Sequence, residues 1–142
     1  VAKIFLASDH AGFALKNHLV AHVSKLGHEV IDLGCHTEAS CDYPDYAHLA
    51  AEKILAESAL GILVCGSGVG ISIAANRHPG IRAVVCSEPF SSEMARRHND
   101  ANVLCMGSRV VGIGLAEKLA EAFLNATFEG GRHAGRVSKI EY

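Results

Sequence analysis

Gly61 to Asn76 reads Gly-Ile-Leu-Val-Cys-Gly-Ser-Gly-Val-Gly-Ile-Ser-Ile-Ala-Ala-Asn, and no other stretch narrows the possible folds as much. Leu60 to Val64 is a short apolar run with β-branched residues, the pattern of a strand buried on both faces. Glycines at 66, 68 and 70 follow it, and Ile71 to Arg77 reads as the opening of a helix. In such a turn backbone N–H groups converge on an anion, and the helix dipole adds to the attraction. Cys65, at the strand exit, is placed to act as a base or nucleophile; the plainer reading is a small buried apolar residue. The sixth position of a G-x-G-x-x-G fingerprint is Ile71, and no lysine follows as in a Walker A loop, so neither nucleotide motif is met. What remains is an anion-cradling loop with a thiol at its mouth.

Taken in order, strands are expected at Lys3–Ala7, Glu29–Leu33, Leu60–Val64, Ile81–Val85 and Val103–Met106. Helices are expected between them: one with Leu15, Leu19, Val23 and Leu26 on one stripe and Gly27 as its cap, one from Pro44 to about Glu57, one over Ile71–Arg77, one from Pro89 to about His98, and a last from Val111 to Asn125. The tail beyond reads as irregular or weakly helical. Apolar strands alternating with helices specify a parallel sheet covered on both sides. The expectation is a single doubly wound, flavodoxin-like or Rossmann-like domain over residues 1–142, with five strands.

A chain of 142 residues with a net charge near −2 gives no reason to expect nucleic acid or an anionic membrane as partner. No leader with a cleavage site and no membrane-spanning run is read. Five cysteines without a C-x-x-C pair then point to a reducing cytoplasm. Nine histidines include no H-E-x-x-H or closely paired set, so no dedicated metal site is expected.

Ligands of such a sheet bind beyond the carboxyl ends of the strands. Asp9 and His10 leave the first strand there, and Cys65 and Ser67 leave the third. Asp9 reads equally as a helix cap, and His10 as solvated or as a phosphate ligand. His98-Asn99-Asp100 belongs to the connection entering strand five, at the opposite sheet edge, where His98 is either a surface residue of a polar helix end or part of a neighbour's site. Arg132 and Arg136, four apart, share one face of a turn if helical and suit a phosphate; otherwise they belong to a solvated basic tail.

Several blocks, in the right order, resemble the type B ribose-5-phosphate isomerase family, which also holds allose-6-phosphate and galactose-6-phosphate isomerases. They are Ser8-Asp9-His10-Ala11-Gly12-Phe13, Asp42-Tyr43-Pro44, Cys65 to Asn76, Ile81-Arg82-Ala83, His98 to Val103, Gly107-Ser108-Arg109 and Gly130-Gly131-Arg132-His133. The resemblance implies a cofactor-free aldose–ketose isomerase of the pentose phosphate pathway, a dimer or tetramer with sites between subunits. By position it implies Cys65 as the base, Ser67 assisting at the sugar oxygens and His98 opening the furanose ring. It implies Asp9 and Tyr43 holding the substrate, and Asn99 with the Gly66, Gly68 and Gly70 amides cradling the enediolate. His10, Arg109, Arg132 and Arg136 fall on phosphate-binding positions. Relatives without the cysteine use a glutamate where this chain has Ile71. His98 and Arg109 flank strand five, on connections expected to lie away from Cys65, and are the expected donors from a second subunit. A six-carbon sugar phosphate stays open as substrate. So do a nucleotide-binding module or oxidoreductase using Glu88 as its ribose acid, and a sugar-phosphate-binding protein without turnover.

Overall fold

Each apolar run becomes a strand of one parallel sheet. The structure is a computed structural model that describes residues 2–141. Strands β1 (Lys3–Ser8), β2 (Glu29–Asp32), β3 (Leu60–Cys65), β4 (Ala83–Val85) and β5 (Val103–Gly107) pair in the order β2-β1-β3-β5-β4. Helices α1 (Phe13–Lys25), α2 (Tyr43–Glu57), α3 (Val69–Ala75), α4 (Pro89–Asn99) and α5 (Ile113–Leu124) each follow a strand, and α6 (Arg132–Ile140) comes last.

The three central strands are buried on both faces, which is why they read as continuous apolar runs rather than alternating ones. Ile4, Leu6, Ile62, Val64, Leu104 and Met106 pack against α1, α4 and α5 through Leu19, Val23, Ala95, Leu119 and Phe123. Their alternating neighbours Phe5, Ala7, Leu63, Cys65 and Cys105 face α2 and α3 through Ala47, Ala50, Ile54, Ile71 and Ala75. Cys65 is thus the last inward residue of β3, on the α2–α3 side.

The doubly wound α/β reading stands, with one difference at its far edge. A flavodoxin-like sheet runs 2-1-3-4-5, whereas here β5 lies between β3 and β4. The connection through α3 crosses two places outward and the one through α4 returns by one. Because parallel crossovers are right-handed, reversing direction moves the helix to the other face, as found: α3 lies with α2, and α4 with α1 and α5. Of the two readings of the tail, the helical one is found, over residues 132–140. The segment leading into it is pinned to α4, with Arg97 O accepting from Glu129 N at 3.0 Å, a contact that sequence periodicity does not report.

One lysine is fully enclosed. Lys16 is completely buried, and its Nζ reaches Asp32 carboxylate oxygens at 2.9 Å, Asn17 Oδ1 at 2.9 Å and the Cys35 carbonyl at 2.8 Å. It ties α1 to the end of β2 and the loop after it. Removing one partner of a buried pair strands the other. Asp32→Ala should therefore lower stability by about 3 kcal/mol, read as a lower urea midpoint with an unchanged slope. The double variant Lys16→Met/Asp32→Ala should recover much of that loss, because no buried charge is left; no recovery would show that the pair is not the cause.

Candidate functional site

Strand order brings three loops together. The crevice of an open α/β sheet forms where successive connections diverge, here between β1, which leads outward to β2, and β3, which leads the other way. Asp9 and His10 leave β1; Cys65 and Gly66 leave β3. Since β5 pairs with β3, Cys65 opposite Gly107, Ser108 and Arg109 emerge at the same mouth. A cavity of about 530 Å³ opens there, bordered by Asp9, His10, Tyr43, Cys65, Ser67 and Arg109 with Gly66 and Gly70.

The local chemistry is specific. Gly68, at φ +80°, closes the turn into α3, and its N–H donates to Cys65 Sγ at 3.2 Å. A side chain at 68 would collide with the Met106 carbonyl carbon at 2.7 Å. Ser67 Oγ accepts from Val69 N at 3.1 Å. Gly70 lets the Tyr43 ring lie on the helix start: a Cβ there would stand 2.6 Å from Tyr43 Cζ. Arg109 N donates to Gly66 O at 3.0 Å, and its guanidinium lies over Gly66. Asp9, 6% exposed, accepts from Gly12 N at 3.1 Å, and Gly12, not Asp9, is the residue that caps α1. His10 Nδ1 accepts from Cys41 N at 3.2 Å, which leaves Nε2 as the donor of the neutral ring. Ser108, outside the candidate set, joins two of the loops by donating to Ala11 O at 2.8 Å.

Arg109 corrects one expectation. It lies at the cysteine's own mouth within a single chain, because the inward return through α4 seats β5 beside β3. Glu88 corrects another: its carboxylate caps α4, accepting from Ser91 N at 3.0 and 3.2 Å, and the Ser91 side chain first, then these backbone bonds, hold it below the usual carboxylate range. A capping carboxylate is not aimed at a ribose.

The remaining candidates lie elsewhere. Helix α4 runs back to the amino end of β5, so His98 and Asn99 at its end belong to the opposite rim. There the His98 ring stacks on His133 of α6, centroids 4.2 Å apart and planes 10° apart. Arg132 and Arg136, both exposed, share one face of α6. None of these four borders the cysteine cavity. A depression of about 570 Å³ does lie at this rim, lined by Asn76, Arg82, Asn99 and Ile140 among others. Arg82 is committed there to Asp100 and Glu141, and the reactive groups are concentrated in the smaller cavity.

Among the described residues, His98, Glu129 and His133 form the one group of three potential metal ligands within 4.8 Å of one another. Imidazole lone pairs lie in the ring plane. With planes nearly parallel, one cation cannot sit in both at Zn–N distance, so the rings as placed do not form a metal centre. Glu129 and His133 were not singled out in the sequence as site residues; their four-residue spacing was the available signal.

Loss of solvation acts on three further thiols. Burial, with Glu88 nearby, pushes the Cys86 thiol up to about 11. Complete burial raises Cys105 well above its ordinary value, and loss of solvation raises Cys41.

Residues 4–140 match the family model described as Ribose/Galactose Isomerase. The chain is 54% identical over 139 residues to ribose-5-phosphate isomerase B of Escherichia coli (strain K12), covering 97% of this chain and 93% of the relative. It superposes on the structure of Clostridium thermocellum ribose-5-phosphate isomerase B with a TM-score of 0.95 at 49% identity, covering 98% of this chain and 95% of that one. With ribose-5-phosphate isomerase B of Mycoplasma genitalium, solved with bound ribulose-5-phosphate, the TM-score is 0.93 at 44% identity, covering 97% and 93%.

Alkylation requires the thiolate. At about pH 8, just under the ordinary thiol value, iodoacetamide should leave Cys86 and Cys105 untouched in the native protein. Cys65 should react from the cavity, more slowly when inorganic phosphate is present, whereas the rate at Cys41 stays unchanged. Peptide mass mapping reads the order; labelling of Cys86 as fast as Cys65 would contradict it.

Proposed function

The chain belongs to the ribose/galactose isomerase family, and we propose that it interconverts D-ribose 5-phosphate and D-ribulose 5-phosphate with Cys65 as the base at carbon. One observation carries the reading. The Cys65 sulfur opens onto a cavity that also presents His10 and Arg109, so a carbon base and two phosphate-binding side chains face one space. A relative with 44% identity holds ribulose 5-phosphate in its own structure.

The reaction needs a proton moved between C1 and C2 once the furanose is open. In the aldose-to-ketose direction the Cys65 thiolate takes the C2 proton, an enediolate forms, and the thiol returns the proton to C1. Ser67 assists the accompanying proton movement at the sugar oxygens. Charge on the enediolate oxygens meets the backbone amides of Gly66 and Gly70, while the Gly68 amide is given to the Cys65 sulfur; each well-aimed donor of this kind is worth about 3 kcal/mol in the transition state. Asp9 and Tyr43 hold the sugar. His10, Arg109, Arg132 and Arg136 bind the phosphate, whose binding energy positions the reacting carbons without touching them.

His98, which opens the ring, together with Asn99, Arg132 and Arg136, occupies the rim opposite the cavity. A single chain does not assemble these groups, and a symmetric dimer does: the far rim of one subunit closes the cavity of the other. Two-fold dimers are the commonest soluble assembly. No helix among the described residues is long and apolar enough to cross a membrane, and five unpaired thiols suit a reducing cytoplasm.

Cys65→Ala should cut kcat by on the order of 10² to 10⁴ with substrate affinity nearly unchanged, and should abolish solvent-deuterium incorporation into the sugar. Near-normal turnover would remove Cys65 from its role. Mixing Cys65→Ala with His98→Asn chains should restore activity, since each mixed dimer holds one site with both residues intact. Verified subunit exchange without recovered activity would place the whole site in one chain.

A further inference from the structure

The rim that carries His98 holds two more polar side chains that the reading above leaves unused. His133 is 8% exposed and lies flat on the His98 ring, and its backbone N–H, donating to Gly130 O at 3.0 Å, fixes it in the first turn of α6. Glu129 places Oε1 3.7 Å from His98 Nε2 and 3.6 Å from His133 Nε2. Its other oxygen is held by Arg97 Nε at 2.7 Å, and its backbone N–H by the Arg97 carbonyl. The carboxylate is therefore clamped to the same helical turn that carries His98.

We propose that His133 and Glu129 are positioning residues for His98, the stacked ring fixing its plane and the carboxylate offering one oxygen to both Nε2 atoms, so that the two imidazoles share a single proton during ring opening. This rests on His98 being the ring-opening group. At 3.6 to 3.7 Å the carboxylate attracts either imidazolium without a committed hydrogen bond. Two imidazolium rings stacked face to face repel each other, so a proton on one ring opposes a proton on the other.

The surroundings agree. Loss of solvation first, then His98, Arg132 and Arg136, push His133 below the usual imidazole value, against the pull of Glu129. The Arg97 hydrogen bond holds Glu129 below the usual carboxylate range, so it is ionised at neutral pH. Arg97 is itself shared with Glu93, at 2.8 Å. When the sugar ring opens, the O1–H proton passes to His98, the C1–O4 bond breaks as C1=O1 forms, and a proton returns to O4. The pair gains and loses one proton in turn, and nothing is oxidised.

The test uses full-length Glu129→Gln, His133→Phe and His133→Ala, each checked for native circular dichroism, alongside His98→Asn. Imidazole titrations are followed by NMR, and kcat/KM against pH is measured for ribose 5-phosphate and for ribulose 5-phosphate. Relative to the parent, His98→Asn should move the His133 titration to higher pH and Glu129→Gln should move it lower. Glu129→Gln should also shift the acid limb of the ribose 5-phosphate profile to lower pH. His133→Ala should lose about ten- to a hundredfold in kcat/KM on ribose 5-phosphate, less on ribulose 5-phosphate, and His133→Phe, which keeps the stack, should lose less. An unmoved His133 titration in His98→Asn together with unshifted pH profiles in the other variants overturns the proposal. If instead His98→Asn impairs the cyclic and open-chain substrates equally, the ring-opening assignment itself falls, while the titrations still report whether the rings share a proton.

Discussion

Handedness is the constraint on which this site depends. A parallel pair of strands closes only through a right-handed crossover, so the face on which each helix packs decides which way the chain moves across the sheet. Helix α3 continues outward on the α2 side and α4 returns on the other. That return inserts β5 beside β3 and delivers Ser108 and Arg109 to the mouth where Cys65 waits. With β4 in that place, Glu88 would have met the thiol instead of a guanidinium. The arrangement of charge around the cysteine follows from strand order before any side-chain contact is considered.

Much of this was legible from residue types alone. Apolar runs marked the five strands, because strands buried on both faces cannot carry polar alternation. The thiol, His10 and Ser67 were recoverable because each lies within a few residues of a strand's carboxyl end. Arg109 was misplaced for a physical reason: strand order is a long-range property set by which helix faces match. Helix α6 was under-read because its order comes from α4 and from the Arg97–Glu129 pair, 32 residues apart. The His98–His133 stack was invisible for the same reason, as 35 residues of chain separate two rings that tertiary packing makes parallel.

The opposed rims differ in how rigidly their groups are held. At the carboxyl ends, backbone amides and a thiol gather with His10 and Arg109 around a turn fixed by glycines that leave no room for side chains. At the other end the groups are side chains on helices, arginine and imidazole, suited to phosphate and to proton exchange with oxygen. Helical side chains tolerate small rigid-body adjustments that a strand-end turn does not. A two-fold assembly would therefore bring an adjustable surface against a fixed one.

The buried lysine has a consequence beyond its energetics. Lys16 holds the Cys35 carbonyl, Ser8 N donates to Gly34 O and Ser8 O accepts from Cys35 N at the same corner, and six residues on, the same loop delivers the Cys41 amide to His10 Nδ1. The tautomer that His10 presents is thus fixed by a loop whose anchor is an interior ion pair. Robustness and ligand recognition are consequently inherited together at this corner. Sequence drift that repacks the α1–β2 seam cannot remain silent at His10, so the seam is expected to vary more slowly than its distance from the thiol alone would dictate.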